Sequence, residues 1–463
     1  MSRSWTARRA AWLAAAAVVS VCTALGVRAV SDPSPWLHLR VAKALMDGQR
    51  FGSPDPWSPF TSRAFLPTEW LPSVVAELGY QVAGLPFLAW LRCLGILALL
   101  LATTWSVRGV AGRTVSLLCA GAAVAGAWPG LTERPQLVSF VLLALTVGAW
   151  WRSAADLRPR WWLVPLTFLW ACSHGLWVIG IGVGIPVVLG LALDRRLDRR
   201  QALRLLAVPA LSALAAAVTP LGPQLLLTPL TYRANGSEFV QEWQATSPRE
   251  PHAALVLLVI GAVVVLWARS GRRPGWWQVL LAVAAVAATL AMNRLVPVGA
   301  VLAAPLLADA LQQRTGRRPE PARPAEWRGL ASLVLAALVV AAPVAAHVAQ
   351  QPTRVPLGLA SQLHGIPAGS VVLEDDDLSG WLLWSQPQLV PVVDIRSEVY
   401  SATWLHRYVA ATTAAPGWRE FVRDTGARYA VLRTDSPLTG ALAARLGWRT
   451  LGRDRGYTLL EAP

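Results

Sequence analysis

Residues 330–346, LASLVLAALVVAAPVAA, contain no charged side chain, and residues 11–27, AWLAAAAVVSVCTALGV, form a second uncharged run. A helix needs about 20 predominantly apolar residues to cross the hydrocarbon core of a bilayer, and both runs approach that length. Only 15% of the 463 residues are charged and 54% are hydrophobic, whereas soluble domains carry about 25% charged residues. The sequence therefore predicts an integral membrane protein.

Nine further apolar runs predict additional membrane-spanning helices, which brings the expected total to about eleven. They cover residues 88–107, 114–128, 136–151, 161–173, 176–193, 205–219, 253–267, 276–291 and 295–311. Residues 1–349 are predicted to form a transmembrane domain, whereas residues 350–463 have ordinary charge density and strand-like runs. The predicted fold class is an all-α polytopic membrane bundle with a small C-terminal α/β domain.

The formal net charge of +16 comes from arginines that stand in short groups between the apolar runs. We expect no nucleic-acid partner, because no basic face interleaved with aromatic side chains accompanies these groups. Short arginine-rich loops of membrane proteins face the cytoplasm. The arginines assigned to such loops include Arg195, Arg196, Arg199, Arg200, Arg272, Arg317 and Arg318. A cell-membrane location follows, with a cytoplasmic N-terminus and, for an odd number of spans, an extracytoplasmic C-terminal domain.

The C-terminal segment shows strand and helix patterns in alternation. Strands are predicted at 370–373, 389–395 and 429–433, a helix at 439–446 and a hairpin at 448–461. The acidic run 374–377 has the chemistry to bind a divalent cation, the only cofactor considered, but a solvated strand end is the favoured interpretation. The four cysteines lie in apolar runs, and their spacing matches neither a zinc site nor a disulfide framework.

The first loop, residues 31–84, is long and rich in tryptophan, proline and acidic residues. Such a loop favours a functional role, although residues 36–46 also fit an amphipathic helix at the membrane interface. Asp32 stands at the outer end of the first span, where a carboxylate can act as a general base or stabilise charge. It also fits the N-cap of a helix whose first residue is Pro33. The sequence leaves both roles open.

Four more polar side chains stand at or near the predicted outer ends of spans: Arg134, His174, Glu242 and Arg294. Ionisable residues at a membrane boundary are candidates for function, although each alone also fits a side chain that reaches for water. An arginine there suits a phosphate or pyrophosphate, because its guanidinium donates paired hydrogen bonds to phosphate oxygens.

The loop motifs, the number of spans and the external C-terminal domain together resemble the GT-C fold of membrane glycosyltransferases. The more specific resemblance is to a bacterial family of GT-C-like membrane proteins. Its motifs correspond here to Asp32-Pro33, Trp36, His38, Asp55-Pro56-Trp57-Ser58, Thr68-Glu69-Trp70-Leu71, Arg134-Pro135-Gln136, His174-Gly175 and Asp394-Ile395-Arg396. Thr68 stands where that family usually has histidine, and Ile395 where it usually has glycine.

This resemblance implies transfer of a sugar from a polyprenyl-phosphate donor to an extracytoplasmic acceptor, with membrane lipid and the lipid-linked sugar as partners. Asp32 would be the catalytic residue. The residues expected to bind substrate are His38, Asp55, Glu69, Arg134, His174, Glu242 and Arg294. We expect Asp32, His38, Glu69, His174 and Arg294 to share one outer pocket. The alternatives are a transporter, a lipid-handling protein or an envelope-assembly protein without catalysis.

Overall fold

The computed structural model describes residues 2–271, 273–315 and 323–463. For residues 2–8, 10 and 233–237 it describes the backbone but not the side chains. Arg272, Arg317 and Arg318, which the sequence assigns to cytoplasmic loops, lie outside the described residues.

Helices dominate the described part of the chain, and most of them coincide with the predicted apolar runs. In chain order they are α1 (Ser2–Gly26), α2 (Ser34–Met46), α3 (Trp70–Ala83), α4 (Leu85–Ser106), α5 (Arg113–Gly126), α6 (Gln136–Asp156), α7 (Leu163–Ala171), α8 (Trp177–Gly182), α9 (Gly184–Leu193), α10 (Arg199–Ala217), α11 (Thr228–Phe239), α12 (Pro251–Ser270), α13 (Trp276–Ala291), α14 (Val296–Arg314), α15 (Pro324–Val348), α16 (Ala360–His364), α17 (Asp376–Ser385), α18 (Ala402–Thr412), α19 (Trp418–Thr425) and α20 (Pro437–Leu446).

Five helical segments of the described residues are long and apolar enough to cross a membrane, which supports a multi-pass membrane protein. They are Leu85–Ser106, Gln136–Asp156, Pro251–Ser270, Asn293–Arg314 and Pro324–Val348. Shorter apolar segments occupy Ala11–Gly26, Arg113–Gly126, Trp177–Leu193 and Trp276–Ala291. The total of eleven spans and the orientation of the termini stay predictions.

The chain divides into two compact units. The membrane unit comprises Met1–Ala29, Val82–Pro229 and Gln241–Gln350, and the loop-sheet unit comprises Val30–Gln81, Leu230–Val240 and Gln351–Pro463. The loop-sheet unit thus joins the first long loop to the C-terminal segment, which the sequence analysis did not anticipate.

In the membrane unit, α4 packs against α6, and α14 packs against α5, α12 and α13. The approach of α6 to α4 is close at Gly148, because a Cβ atom there would lie 2.6 Å from the Ser106 Cα. Small residues allow such close contacts between membrane helices. Gly148 therefore sets how near these two helices can come.

The loop-sheet unit is built on a five-stranded sheet in the order β2-β1-β3-β5-β4. The strands are β1 (Val371–Glu374), β2 (Val390–Pro391), β3 (Tyr429–Arg433), β4 (Arg449–Asp454) and β5 (Tyr457–Glu461). β1 is parallel to β2 and β3, whereas β5 is antiparallel to β3 and β4. The predicted α/β segment with a terminal hairpin is confirmed.

Two details of the predicted sheet are wrong, and both involve Glu374. The strand expected at 389–395 is shortened to β2. Beyond it, the Val393 N–H group donates to a Glu374 carboxylate oxygen over 3.0 Å, and the Val392 N–H group is shared between that carboxylate and the Val372 carbonyl oxygen, both at 3.3 Å. Glu374 itself was interpreted as part of a solvated strand end, but it is fully buried. Burial raises the pKa of its carboxyl well above the usual value, although those two hydrogen bonds oppose the shift.

The long loop contains two helices. The α2 helix buries Trp36, Leu37 and Val41 within the loop-sheet unit and packs against α17. A Cβ atom at Gly380 of α17 would lie 2.9 Å from the Pro33 carbonyl oxygen, so glycine is required for this contact. Residues 36–46, the alternative interface helix of the sequence analysis, are thus helical, with an apolar face buried in protein.

The α3 helix was not predicted. It buries polar residues, Ser73 and Glu77, and exposes apolar ones, among them Val75, Leu78 and Val82. This distribution is the reverse of that on a helix of a soluble protein.

Candidate functional site

Asp32 lies just before α2 and is 9% exposed. Its Oδ1 accepts a hydrogen bond of 2.9 Å from the Ser34 N–H group, so the carboxylate satisfies one of the free donors at the start of the helix. The predicted cap is displaced by one residue, because Pro33, not Asp32, stands at the cap position and Ser34 is the first helical residue. A catalytic role for the same carboxylate stays a prediction.

His38 lies on α2 and faces the beginning of α3. Its Nε2 is 3.3 Å from a Glu69 carboxylate oxygen, and its Nδ1 is 3.1 Å from the Ser73 hydroxyl. The Ser73 hydroxyl donates its own proton to the Glu69 carbonyl oxygen over 2.7 Å, so in this arrangement it accepts from Nδ1. His38 forms an ion pair with Glu69 when Nε2 is protonated as well.

Asp55 is buried in the loop-sheet unit and pairs with Arg396, at 2.5 Å between Oδ2 and Nη1. Arg396 also forms a bidentate pair with Asp394, at 2.9 and 2.6 Å, and its guanidinium lies 4.5 Å from the centre of the Trp57 ring. Burial alone lowers the pKa of Arg396, but the two carboxylates outweigh it and hold this pKa well above the usual value. We call Asp55, Asp394 and Arg396 the arginine cluster.

Tyr400 completes this network by donating a 3.0 Å hydrogen bond to Asp394 Oδ2. Burial raises the pKa of its phenol well above the usual value, with the Asp394 charge as the second cause. The arginine cluster ties the first loop to the C-terminal segment between residues 341 positions apart, Asp55 and Arg396. Ile395, where the similar family has glycine, packs against the apolar cluster that contains Leu37 and Trp57.

His174 lies in the membrane unit between α7 and α8 and is 2% exposed. Its Nε2 is 2.8 Å from Arg294 Nη2, and its Nδ1 is 2.9 Å from the Ser139 hydroxyl. A guanidinium can only donate, so Nε2 must accept; the neutral imidazole then carries its proton on Nδ1 and donates to the Ser139 hydroxyl. The Leu176 N–H group also lies 3.2 Å from Nδ1, but in this tautomer Nδ1 cannot accept from it.

Arg134 and Glu242 form an ion pair in the membrane unit. Glu242 belongs to a short 3-10 helix, Gln241–Trp243, and the guanidinium of Arg294 lies 5.5 Å from the centre of the Trp243 ring. The adjacent residues Glu242 and Trp243 therefore link Arg134 to Arg294, and through Arg294 to His174.

The eight predicted residues thus fall into two sets. Arg134, His174, Glu242 and Arg294 are brought together in the membrane unit, whereas Asp32, His38, Asp55 and Glu69 lie in the loop-sheet unit. Within the second set the contacts described above pair His38 with Glu69 and Asp55 with Arg396. The convergence of His38, Glu69, His174, Arg294 and Asp32 in one pocket stays a prediction.

Sequence reasoning missed one polar residue of this region, Glu77. It is 6% exposed; its Oε1 accepts from Gln81 over 3.0 Å, and its Oε2 is buried without a hydrogen-bond partner in the described part of the chain. Ser73 and Glu77 lie along one face of α3, and Glu69, four residues before Ser73, immediately precedes the helix. If a helix had been predicted here, this four-residue spacing would have indicated a polar face that includes Glu77.

Buried charge in the membrane unit also has a structural use. Arg92 pairs with Glu133 and donates to the carbonyl oxygens of Gly26 and Arg28, at 2.7 and 2.6 Å. These bonds satisfy acceptors at the C-terminal end of α1. Among the described residues, no group of three or more histidine, cysteine, aspartate or glutamate side chains is placed to hold a metal ion.

Solved structures share this architecture. The archaeal oligosaccharyltransferase AglB from Archaeoglobus fulgidus, in complex with an inhibitory peptide and a dolichol-phosphate, is similar with a TM-score of 0.59 and 11% identity, over 90% of this chain and 69% of its own. The fold is that of the GT-C glycosyltransferases. The arabinofuranosyltransferase AftD from Mycobacteria is similar with a TM-score of 0.56 and 15% identity, over 100% of this chain and 40% of its own.

This likeness confirms the GT-C resemblance inferred from the loop motifs, and at such low identity it concerns the fold alone. The chain spans less than half the length of AftD. No family model matches this sequence, and no curated protein matches it.

Proposed function

We propose that the chain is a membrane glycosyltransferase that moves a sugar from a polyprenyl-phosphate carrier to an acceptor hydroxyl outside the cytoplasm. The observation that carries this proposal is the association of Arg134, His174, Glu242 and Arg294 in the membrane unit of a GT-C fold. A similar structure with that fold contains a dolichol-phosphate, which supports a lipid phosphate as the ligand class.

In this proposal Arg134 and Arg294 hold the donor phosphate, because arginine donates paired hydrogen bonds to phosphate oxygens. A neutral His174 supports the assignment, since it orients Arg294 without adding or removing charge. Glu242 holds Arg134 in place until the more highly charged phosphate competes for it.

The transfer step needs a general base that takes the proton of the acceptor hydroxyl. The acceptor oxygen attacks the anomeric carbon, the bond from that carbon to the phosphate oxygen breaks, and polyprenyl phosphate leaves with the bonding electrons. The proton of the acceptor hydroxyl passes to the Asp32 carboxylate. His38, Glu69 and the buried Asp55 act as positioning groups for the loop that carries Asp32 and for the acceptor.

Binding of a polyprenyl phosphate to the full chain, reconstituted in lipid nanodiscs, tests the ligand class. Arg294→Gln keeps a donor for His174 but removes the charge, so we expect the dissociation constant to rise by about tenfold to a hundredfold, the range for a lost charge-assisted hydrogen bond. The matched control is Arg269→Gln, an exposed arginine at the end of α12. Equal affinity in all three proteins would remove Arg294 from the site.

The alternative functions, transport or handling of a lipid without chemistry, give a different result with the same materials. A protein that only binds or moves the lipid would retain the Arg294-dependent affinity and release no polyprenyl phosphate from a polyprenyl-phosphate-linked sugar. Release that depends on an added hydroxyl acceptor supports the transferase.

A further inference from the structure

A second basic region of the membrane unit takes no part in the proposed transfer. Arg108 and Arg113 line a cleft at one end of α1, α4, α5 and α15. Its other walls are mostly apolar and aromatic, and include Trp12, Leu117 and Leu330.

This cleft is separate from the cluster around Arg134. Arg92, in the first half of α4, contacts Glu133, the residue before Arg134, whereas Thr104 and Arg108 line the cleft at the other end of α4. A helix rises 1.5 Å per residue, so the two regions are about 20 Å apart along α4. A ligand of the cleft therefore does not occupy the site proposed for the donor phosphate.

The charges of the cleft are not balanced. Arg113 pairs with Glu326 at 2.7 Å, and the same carboxylate accepts from the Arg323 N–H group at the start of α15, at 2.9 Å. For Arg108, by contrast, the described residues offer no carboxylate within ion-pair distance; its guanidinium lies 4.6 Å from the centre of the Trp105 ring. One net positive charge is left facing the cleft.

A second cation lies near Arg108, although it does not line the cleft. The Arg152 guanidinium lies 3.7 Å from the centre of the same Trp105 ring. Both of its terminal nitrogens are buried, and within the described ranges neither has a hydrogen-bond partner. Buried donors of a cation are costly to leave unsatisfied, so an anion at this end of the bundle would be stabilised.

We infer that this cleft binds an anionic phospholipid, with the phosphate at Arg108 and Arg113 and the apolar part of the lipid against Trp12 and Leu330. The bilayer that surrounds the membrane unit supplies such a molecule directly. Basic pockets between membrane helices, bordered by tryptophans that sit at head-group level, have the chemistry to hold lipid phosphates.

The test compares phosphatidylglycerol with phosphatidylcholine and with polyprenyl phosphate, each added separately to the full chain in mild detergent and counted by native mass spectrometry. We expect preferential retention of one phosphatidylglycerol, weakened about tenfold in Arg108→Gln and unchanged in Arg269→Gln. Arg108 is exposed, so its replacement should leave the melting temperature unaltered.

A second variant removes a negative charge from the cleft, whereas Arg108→Gln removes a positive one, so the two variants should shift lipid retention in opposite directions. Glu326→Gln keeps an oxygen for the Arg323 N–H group but removes the negative charge beside Arg113, so retention of phosphatidylglycerol should rise by about threefold to tenfold. Equal retention of the two lipids would overturn the inference. So would unchanged retention in Arg108→Gln, or an Arg108-dependent preference for polyprenyl phosphate over phosphatidylglycerol.

Discussion

His38 and His174 were predicted as equivalent site residues, yet their surroundings are opposite. His38, in the loop-sheet unit, contacts the Glu69 carboxylate, which can only accept. His174, in the membrane unit, contacts the Arg294 guanidinium, which can only donate. One unit thus places a carboxylate beside an imidazole nitrogen, and the other places a guanidinium there. A motif that specifies histidine does not specify which of these two environments the histidine occupies.

This difference suits the two tasks of the proposed reaction. A base must come from a region where carboxylates are plentiful, and a phosphate must bind where arginines are not all neutralised by acids. The loop-sheet unit supplies Asp32 for the first task. The membrane unit supplies Arg134 and Arg294 for the second.

The proposed reaction requires that the loops bearing His38 and His174 lie on the same side of the membrane. The test of this topology has an all-or-none outcome. The arginine pattern assigns both to the outside and the loop at Gly271 to the cytoplasm. Reporter fusions at Gly271 and at Pro463 should therefore give opposite signals. Identical signals would mean that the predicted number of spans has the wrong parity.

The next largest effect is expected for Asp32→Asn. Asparagine keeps the oxygen that accepts from the Ser34 N–H group and caps helices about as well as aspartate, so the melting temperature should barely change. A general base contributes about 10²-fold to 10⁴-fold to a rate, and transfer activity should fall by that factor. A stable, fully active variant would reduce Asp32 to a helix cap and direct attention to Glu69 and Glu77.

The positions of many helices could be predicted, because a membrane-spanning helix requires a long run of uncharged, apolar residues that is visible in the sequence. The helices α12, α13 and α14 and the terminal hairpin lie where the sequence predicted them. The α3 helix was missed because its polar residues point inward and its apolar ones outward. The contact of Asp55 with Arg396 was missed because a pattern along the chain carries no information on pairs 341 residues apart.

Replacing each histidine by lysine tests the contrast directly. In His174→Lys an ammonium would be buried beside Arg294, and an uncompensated buried charge costs about 3–5 kcal/mol. In His38→Lys the new ammonium would face the Glu69 carboxylate, so the cost should be about 1 kcal/mol or less. Thermal unfolding of the two variants measures the difference. Equal destabilisation would show that the two sites do not differ in the charge that they accommodate.

The smallest expected effect concerns Asp375, which precedes α17 in the loop-sheet unit. Burial raises the pKa of its carboxyl to about 6, although a hydrogen bond from the Arg433 N–H group opposes the shift. The folded protein therefore binds a proton more tightly than the unfolded chain between about pH 4 and pH 6. Stability should fall as the pH rises through this window and stay constant above it.

Asp375→Asn should abolish most of this pH dependence, because asparagine cannot ionise but still accepts from the Arg433 N–H group. At about pH 8 the variant should be more stable than the wild type by at most about 3 kcal/mol, and at about pH 4 the two should be equal. Glu374 remains in the variant and leaves a residual slope, because burial also raises the pKa of its carboxyl.

The control is Asp435→Asn, since Asp435 is exposed and the Arg433 side chain lowers its pKa. This control variant should not be more stable than the wild type at about pH 8. Melting temperatures of the full chain across this range measure the effect. Parallel curves for wild type and Asp375→Asn would mean that the carboxyl is as well solvated in the folded protein as in the unfolded chain, and that the loop-sheet unit tolerates an additional buried carboxylate without cost.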